Sequence, residues 1–289
     1  MSLTPEELRE LRRIHVAAGR RVDSLLSGDY RSAVRGRGME FEEVRAYVPG
    51  DDVRHIDWNV TARSGEPFIK VFREERQQTV QLVVDVSGST KVGSGGRDGR
   101  TLRRLQIARV AGGIAYASIR NRDRVGLVTF TDRVEQYLPP RTRRGHVWAV
   151  IQSVFEAQGR HRGTNIEAAL SYVARTQRRR AVIILVSDFM DQGKWSDAVR
   201  RLARRHQLHA ICVHDPRDVG FRGMGLAEIV DAETGRTRLV DLSSFAAQQG
   251  VAARVGALRR AGAKAVALST EDDPFLVLHQ HFQAVGAHR

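Results

Sequence analysis

Carboxylate and hydroxyl side chains come together in a few short stretches of this chain. Asp85-Val86-Ser87-Gly88-Ser89 follows directly on an apolar run. Gly163-Thr164-Asn165 stands just before a helical pattern. Ser187-Asp188 ends a second apolar run. Their oxygens are hard donors of the kind magnesium takes, six in near-octahedral geometry with several waters retained. Ser87 and Ser89 are two residues apart, so a tight turn can aim both hydroxyls at one point, and Gly88 between them relieves crowding. Asp85 and Asp188 can bind a cation directly or through water, and Thr164 can reach in from a neighbouring loop. None of these stretches holds a thiolate or imidazole, which disfavours zinc and copper. Taken singly, each reads equally well as a helix cap. They gain weight together only if one edge of a sheet assembles them.

The surrounding pattern predicts such an edge. Val80 to Val86 is a largely apolar run, polar only at Gln81 and Asp85, as expected of a strand covered on both faces. Strands at Val125–Phe130, Ala181–Ser187, Leu208–Val213 and Ala263–Leu268 alternate with helices. The helices are read at Leu102–Arg120, Gly145–Ala157, Ile166–Thr176, Trp195–His206, Leu242–Ala261 and Phe275–Ala284. Arg133–Leu138 pairs back on its neighbour through Thr131-Asp132. Such alternation predicts an α/β fold, a doubly wound, mostly parallel sheet with helices on both faces. Ligands gather at the carboxyl ends of the central strands in such sheets, where all the oxygen-rich stretches fall. Ahead of this lies a small N-terminal helical and β-rich region. Residues 5–26 read as a helix, with Thr4 and Glu7 as a capping box, Pro5 in the first turn and Gly28 as a stop. Its apolar stripe of Leu8, Leu11, Ile14, Ala18, Val22 and Leu25 predicts docking onto the main domain. Residues 29–78 read as two strands around the Pro49-Gly50 turn. The domain division is therefore 1–28, 29–78 and 79–289.

Composition sets wider bounds. With 289 residues, 42% apolar and 28% charged, the chain can bury a full core. That argues against disorder throughout and against a collagenous or disulfide-built protein. The lone Cys212, inside the apolar run Leu208–Val213, reads as a buried strand residue and fits a reducing compartment. The first residues show no basic stretch followed by an apolar one, and the apolar runs are too short to span a bilayer. The expectation is a cytoplasmic protein without a transmembrane segment. A net charge of +14 favours an acidic partner. No helix-turn-helix, zinc-finger or RNA-recognition signature accompanies it, so nucleic acid is an unfavoured partner.

Asp85-x-Ser87-x-Ser89, Thr164 and Asp188, in that order on alternating strands and helices, resemble the metal-ion-dependent adhesion site of von Willebrand factor A domains. The resemblance covers about residues 79–270. The segment Tyr47-Val48-Pro49-Gly50-Asp51-Asp52-Val53-Arg54-x-Ile56-Asp57-Trp58, with Ala62-Arg63, resembles the signature of the bacterial family called domain of unknown function 58. The first likeness implies a von Willebrand factor A-like fold holding Mg2+, with Mn2+ or Ca2+ as alternatives. The second implies an adaptor for a MoxR-type AAA+ ATPase in chaperone-like or complex-maturation work. A cation held mainly by hydroxyls and water keeps charge uncompensated and can accept a carboxylate from a partner or client. Arg97, Arg100, Arg103 and Arg104, close behind the first ligand loop, could steer acidic surfaces toward it or form an ordinary solvated face.

The expected function is thus a non-enzymatic, metal-dependent protein-interaction module. One alternative is a magnesium-dependent phosphoryl hydrolase. A haloacid dehalogenase-type phosphatase would carry Asp-x-Asp where Ser87 stands. The Gly88–Gly99 stretch lacks the phosphate-binding Gly-Lys-Ser/Thr pattern, and His161 is the one plausible base nearby. The other alternative is a basic nucleic-acid-binding protein. Around the signature turn, Asp51, Asp52, Arg54 and Asp57 read as an internal salt-bridge network with Trp58 packed against it, in competition with a second ligand or partner site.

Overall fold

In the computed structural model of the chain the described residues are 5–22, 30, 33, 39–74, 77–88, 102–157, 159, 163–191, 195–216, 226–230, 237–241 and 250–287. Along the chain run α1 (Pro5–Arg21), β1 (Met39–Ala46), α2 (Trp58–Ser64), β2 (Phe68–Glu74), β3 (Thr79–Asp85), α3 (Leu102–Arg120), β4 (Arg124–Phe130) and β5 (Val134–Arg141). There follow α4 (Arg144–Glu156), α5 (Ile166–Thr176), β6 (Val182–Ser187), α6 (Trp195–Arg205), β7 (Gln207–His214), β8 (Leu226–Val230), β9 (Thr237–Asp241), α7 (Val251–Arg260), β10 (Lys264–Ser269) and α8 (Pro274–Ala287). Two compact units result, one of Met1–Val34 with Thr79–Arg289 and one of Arg35–Gln78.

The larger unit is built on a six-stranded sheet in the order β10-β7-β6-β3-β4-β5. Every neighbouring pair is parallel except β4 with β5, which is antiparallel at the edge. This is a mixed α/β architecture with a mostly parallel sheet and helices on both faces. It follows from strands apolar on both faces. Along β3, Val80, Leu82 and Val84 enter one core with α1, α3, α4 and α8, while Val83 enters a second core with α5, α6 and α7. Strand β6 repeats the pattern, with Val182, Ile184 and Val186 on the first side and Ile183 and Leu185 on the second. A largely apolar run is what a period-2 strand needs when both faces are covered. Cys212 is buried in β7, as its apolar setting predicts. Among the described residues no helix is long and apolar enough to cross a membrane.

Helix α1 docks as its stripe predicts. Leu11, Ile14, Ala18 and Val22 are buried in the same core as α3 and α4, and His15 meets the Tyr116 hydroxyl of α3 at 2.6 Å. The structure therefore groups the N-terminal helix with the sheet, whereas the sequence division set residues 1–28 apart. The described helix is Pro5–Arg21; residues 23–26 and the Gly28 stop lie outside the described residues, as do Thr4 and residues 242–249 of the helix expected at 242–261. Mid-way along α3, Gly112 and Gly113 permit close approach. A Cβ at either would stand 3.0 Å from Ile151 of α4 or Phe275 of α8.

The smaller unit pairs β1 with β2 antiparallel, with a register shift between Phe41 and Glu43. Its connecting segment is held by its own charges. Asp51 takes both Arg45 guanidinium nitrogens at 2.8 Å and the Val48 N–H at 2.9 Å. Asp52 accepts the Arg54 N–H at 3.0 Å and pairs with the Arg54 side chain at 2.7 Å. Asp57 caps α2 through the N–H groups of Asn59 and Val60 and lies 3.3 Å from the Lys70 ammonium. Partial burial pushes the Asp57 carboxyl up, but the Val60 N–H, Lys70 and the Asn59 N–H together bring it below its ordinary value. The charged residues thus serve local geometry, as their mixture around a turn suggests. Trp58 does otherwise. It is 70% exposed rather than packed on the network, because it opens α2 on the side turned to solvent.

Candidate functional site

The sheet brings the first and third oxygen-rich stretches together. Strands β3 and β6 are parallel neighbours with Val84 opposite Val186. Asp85 and Ser187 therefore end adjacent strands at the same level. The Ser187 hydroxyl donates to Asp85 Oδ2 at 2.7 Å, and the Ser87 N–H donates to Asp85 Oδ1 at 2.9 Å. The next residue, Asp188, accepts the Met190 N–H on Oδ1 at 3.0 Å and the Arg103 Nη1 on Oδ2 at 3.2 Å. Phe189 follows at φ 55°, a left-handed conformation unusual for a bulky residue. Its N–H donates to the Ser187 hydroxyl oxygen at 3.0 Å, which stabilises the turn. The Asp188 carbonyl accepts Arg254 Nη1 at 2.5 Å, and Cys212 Sγ lies 3.6 Å from it.

Asp85, Ser87, Ser187 and Asp188 are all buried. Desolvation raises the Asp85 carboxyl to about 7, and the charge of Asp188 pushes the same way against the hydrogen bonds from Ser187 and Ser87. Two carboxylates so near each other in a dry setting repel, and a cation between them would relieve both.

Thr164 is held at the same edge through its neighbours. Gly163 before it has φ 91°. Asn165 donates its N–H to the Thr131 carbonyl beyond β4 at 2.9 Å, and its side chain caps α5 by accepting the Ala168 N–H. The Ile166 N–H donates to Asp191 Oδ2 at 3.0 Å, tying the loop to the one after β6. Gly159, at φ 58°, lets this connection lie against the end of β3, where a Cβ would stand 2.5 Å from the Val86 carbonyl oxygen. Thr164 itself is half-buried. The structure thus brings Asp85, Ser87 and Asp188 together and fixes the backbone around Thr164 beside them. Ser89 lies outside the described residues, as do Arg97, Arg100 and His161.

The arginines are where sequence and structure part. Arg103 and Arg104 do not form a solvated steering face; both are buried, and Arg103 is 2% exposed. The helical period accounts for this. Arg103 falls on the stripe of Ile107, Val110 and Ile114, the side of α3 turned to the core. Arg254 is likewise buried, four residues before Leu258 on the inner face of α7. Its contact with Asp188, and the part played by Ser187, were not anticipated. The inward stripes of α3 and α7 were the available signal, although stripe position names no partner.

Among the described residues no group of three or more His, Cys, Asp or Glu could hold a metal ion. The candidate set is of another kind, two carboxylates supplemented by hydroxyls. That donor chemistry fits a hard divalent cation such as magnesium. Arg103, already on Asp188, opposes it.

Comparison with known proteins places the chain. Among solved structures, it is similar to BatB from Bacteroides thetaiotaomicron, at 16% identity and a TM-score of 0.49, over 73% of this chain and 99% of that one. It is similar also to the SpRpn10 VWA domain, at 10% identity and a TM-score of 0.40, over 71% of this chain and 93% of that one. Among sequences, it is 31% identical over 281 residues to the uncharacterized protein Mb1516 of Mycobacterium bovis, spanning 93% of this chain and 86% of the relative. The uncharacterized protein Rv1480 of Mycobacterium tuberculosis matches to the same extent. Residues 43–260 match the family described as protein of unknown function DUF58, which takes in both the charged turn of the smaller unit and the carboxylate edge of the sheet, and the chain belongs to that family.

Proposed function

We propose that this protein is a non-enzymatic, metal-dependent protein-interaction module that works as a cytoplasmic adaptor for a MoxR-type AAA+ ATPase. Asp85, Ser87, Ser89, Thr164 and Asp188 would hold the ion, with Mg2+ favoured over Mn2+ or Ca2+. When bound, such an ion supplies a coordination position for a carboxylate offered by the ATPase or by a client. The protein's own groups orient the site. Ser187 and the Ser87 N–H aim the Asp85 carboxylate, and the Met190 N–H aims that of Asp188. The observation that carries the reading is the pair of buried acids, Asp85 and Asp188, ending adjacent parallel strands. Arg103 answers the charge of Asp188, and a divalent ion at this edge would answer that of Asp85 as well.

The test is a pull-down from the native host with wild type and Asp85→Ala, each with and without chelator. Recovery of an AAA+ ATPase that needs both metal and Asp85 is the expected result. Equal recovery from chelated wild type would overturn the reading. Magnesium-dependent phosphatase activity lost in Asp85→Ala would point instead to a hydrolase. DNA binding that falls steeply with salt and survives the substitution would point to a nucleic-acid-binding protein.

A further inference from the structure

The feature the proposed function leaves over is Arg103. It comes from the first turn of α3, a long way in sequence from its partner, and its guanidinium reaches Asp188 Oδ2 with both side chains at most 2% exposed. A buried arginine is costly to place, and this one is placed on a candidate metal ligand. The other Asp188 oxygen is engaged by the Met190 N–H, and the Asp188 carbonyl by Arg254. Oδ2 is therefore the oxygen most open to exchange, since a side chain can swing away and a turn amide cannot.

We propose that Arg103 is a built-in competitor of the divalent ion, a tethered cation that holds Asp188 when the metal does not and must release it when the metal binds. This rests on the metal-site reading above and adds the regulation of that same site. The argument is geometric. A guanidinium N–H and a divalent ion seek the same lone pairs of Oδ2. Magnesium bonds oxygen at about 2.0–2.1 Å, so direct coordination of Oδ2 sets the ion and the guanidinium against each other as like charges in a dry site. The pair has two consequences. It keeps Asp188 from standing as an uncompensated buried charge in the absence of metal. It also lowers the affinity for metal, so that occupancy responds to metal concentration or to a partner that completes the coordination shell. Displacement of a side chain at the start of α3 is then the structural signal of metal binding. Arg254 contacts the main-chain carbonyl rather than the carboxylate and stays in place during this exchange.

The experiment measures Mg2+ and Mn2+ binding to the purified full chain by calorimetry for wild type, Arg103→Met and Arg103→Lys. Methionine retains much of the buried stem and removes the charge. The expected result is metal affinity raised about tenfold or more in Arg103→Met, with Arg103→Lys close to wild type, because loss of a neighbouring positive charge favours the ion. Thermal unfolding gives a second readout. In chelator Arg103→Met unfolds below wild type, and added Mg2+ raises its midpoint by more than it raises that of wild type. Arg103→Gln provides the same comparison if the methionine variant does not fold. A folded neutral variant binding metal no more tightly than wild type overturns the competition while leaving the metal site intact. If wild type itself binds neither ion, the metal-site reading fails, and this inference with it.

Discussion

Ser187→Ala tests how the two strand ends are joined. The Ser187 hydroxyl is a relay, donating to Asp85 Oδ2 at 2.7 Å and accepting the Phe189 N–H at 3.0 Å, with Asp85 and Ser187 fully buried. Alanine removes a hydrogen bond to a carboxylate, which contributes about 1.5–3 kcal/mol. It also leaves the Phe189 N–H without that acceptor, at about 1–3 kcal/mol. The two losses share one atom and do not simply add, so about 3 kcal/mol is the working figure. For a unit of this size the midpoint moves roughly 2–4 °C per kcal/mol, which predicts a fall of about 6–12 °C. Calorimetry or circular dichroism in chelator at pH 8 reads it directly. Hydrogen exchange should quicken at Phe189 and Met190 before it does in the core strands. A fall under about 2 °C, with exchange unchanged at those amides, would refute the relay and the claim that it holds the turn after β6.

Two further predictions concern regions away from the site. His281 is buried against His209, with 2.9 Å between their ring nitrogens, and desolvation, then Lys264 and Arg259, lower its pKa to about 4. The unfolded histidine titrates near 6.5, so between pH 6.5 and 4 the unfolded chain binds a proton that the folded one does not. Stability should therefore be full above pH 6.5 and fall through this window by up to about 3 kcal/mol, and His281→Gln should flatten that arm of the stability–pH curve. In the smaller unit, Asp57→Ala removes the cap of α2 and the partner of Lys70. Amide exchange over residues 58–64 should accelerate while exchange in β3 and β6 stays as in wild type; an unchanged rate at 58–64 would show that the cap is not what holds this short helix.

The alternation of strands and helices was legible because each element carries its own period. The mostly apolar runs at 80–86 and 181–187, polar only at Gln81, Asp85 and Ser187, read as strands covered on both faces. Once those strands are parallel neighbours, Asp85 and Asp188 must fall at one edge of the sheet, so two of the proposed ligands followed from element order. Turn chemistry was legible for the same local reason. Asp51, Asp52 and Asp57 bond to groups a few residues away, within reach of a reading along the chain.

Contacts between distant side chains were not legible in this way. Trp58 read as packed because tryptophan usually is, yet the helix it opens turns it outward. Arg103 read as a surface arginine, either steering acidic partners or merely solvated. Its stripe position already required it to turn inward, but a helical period says only which face is covered. Which acid meets the buried guanidinium depends on how α3 lies across the sheet and on where the loop after β6 turns. The hard-donor chemistry at the sheet edge was written in residue types and their spacing. The cation already sitting on one of those donors was decided by packing, because a buried charge takes the partner that the tertiary structure places within its reach.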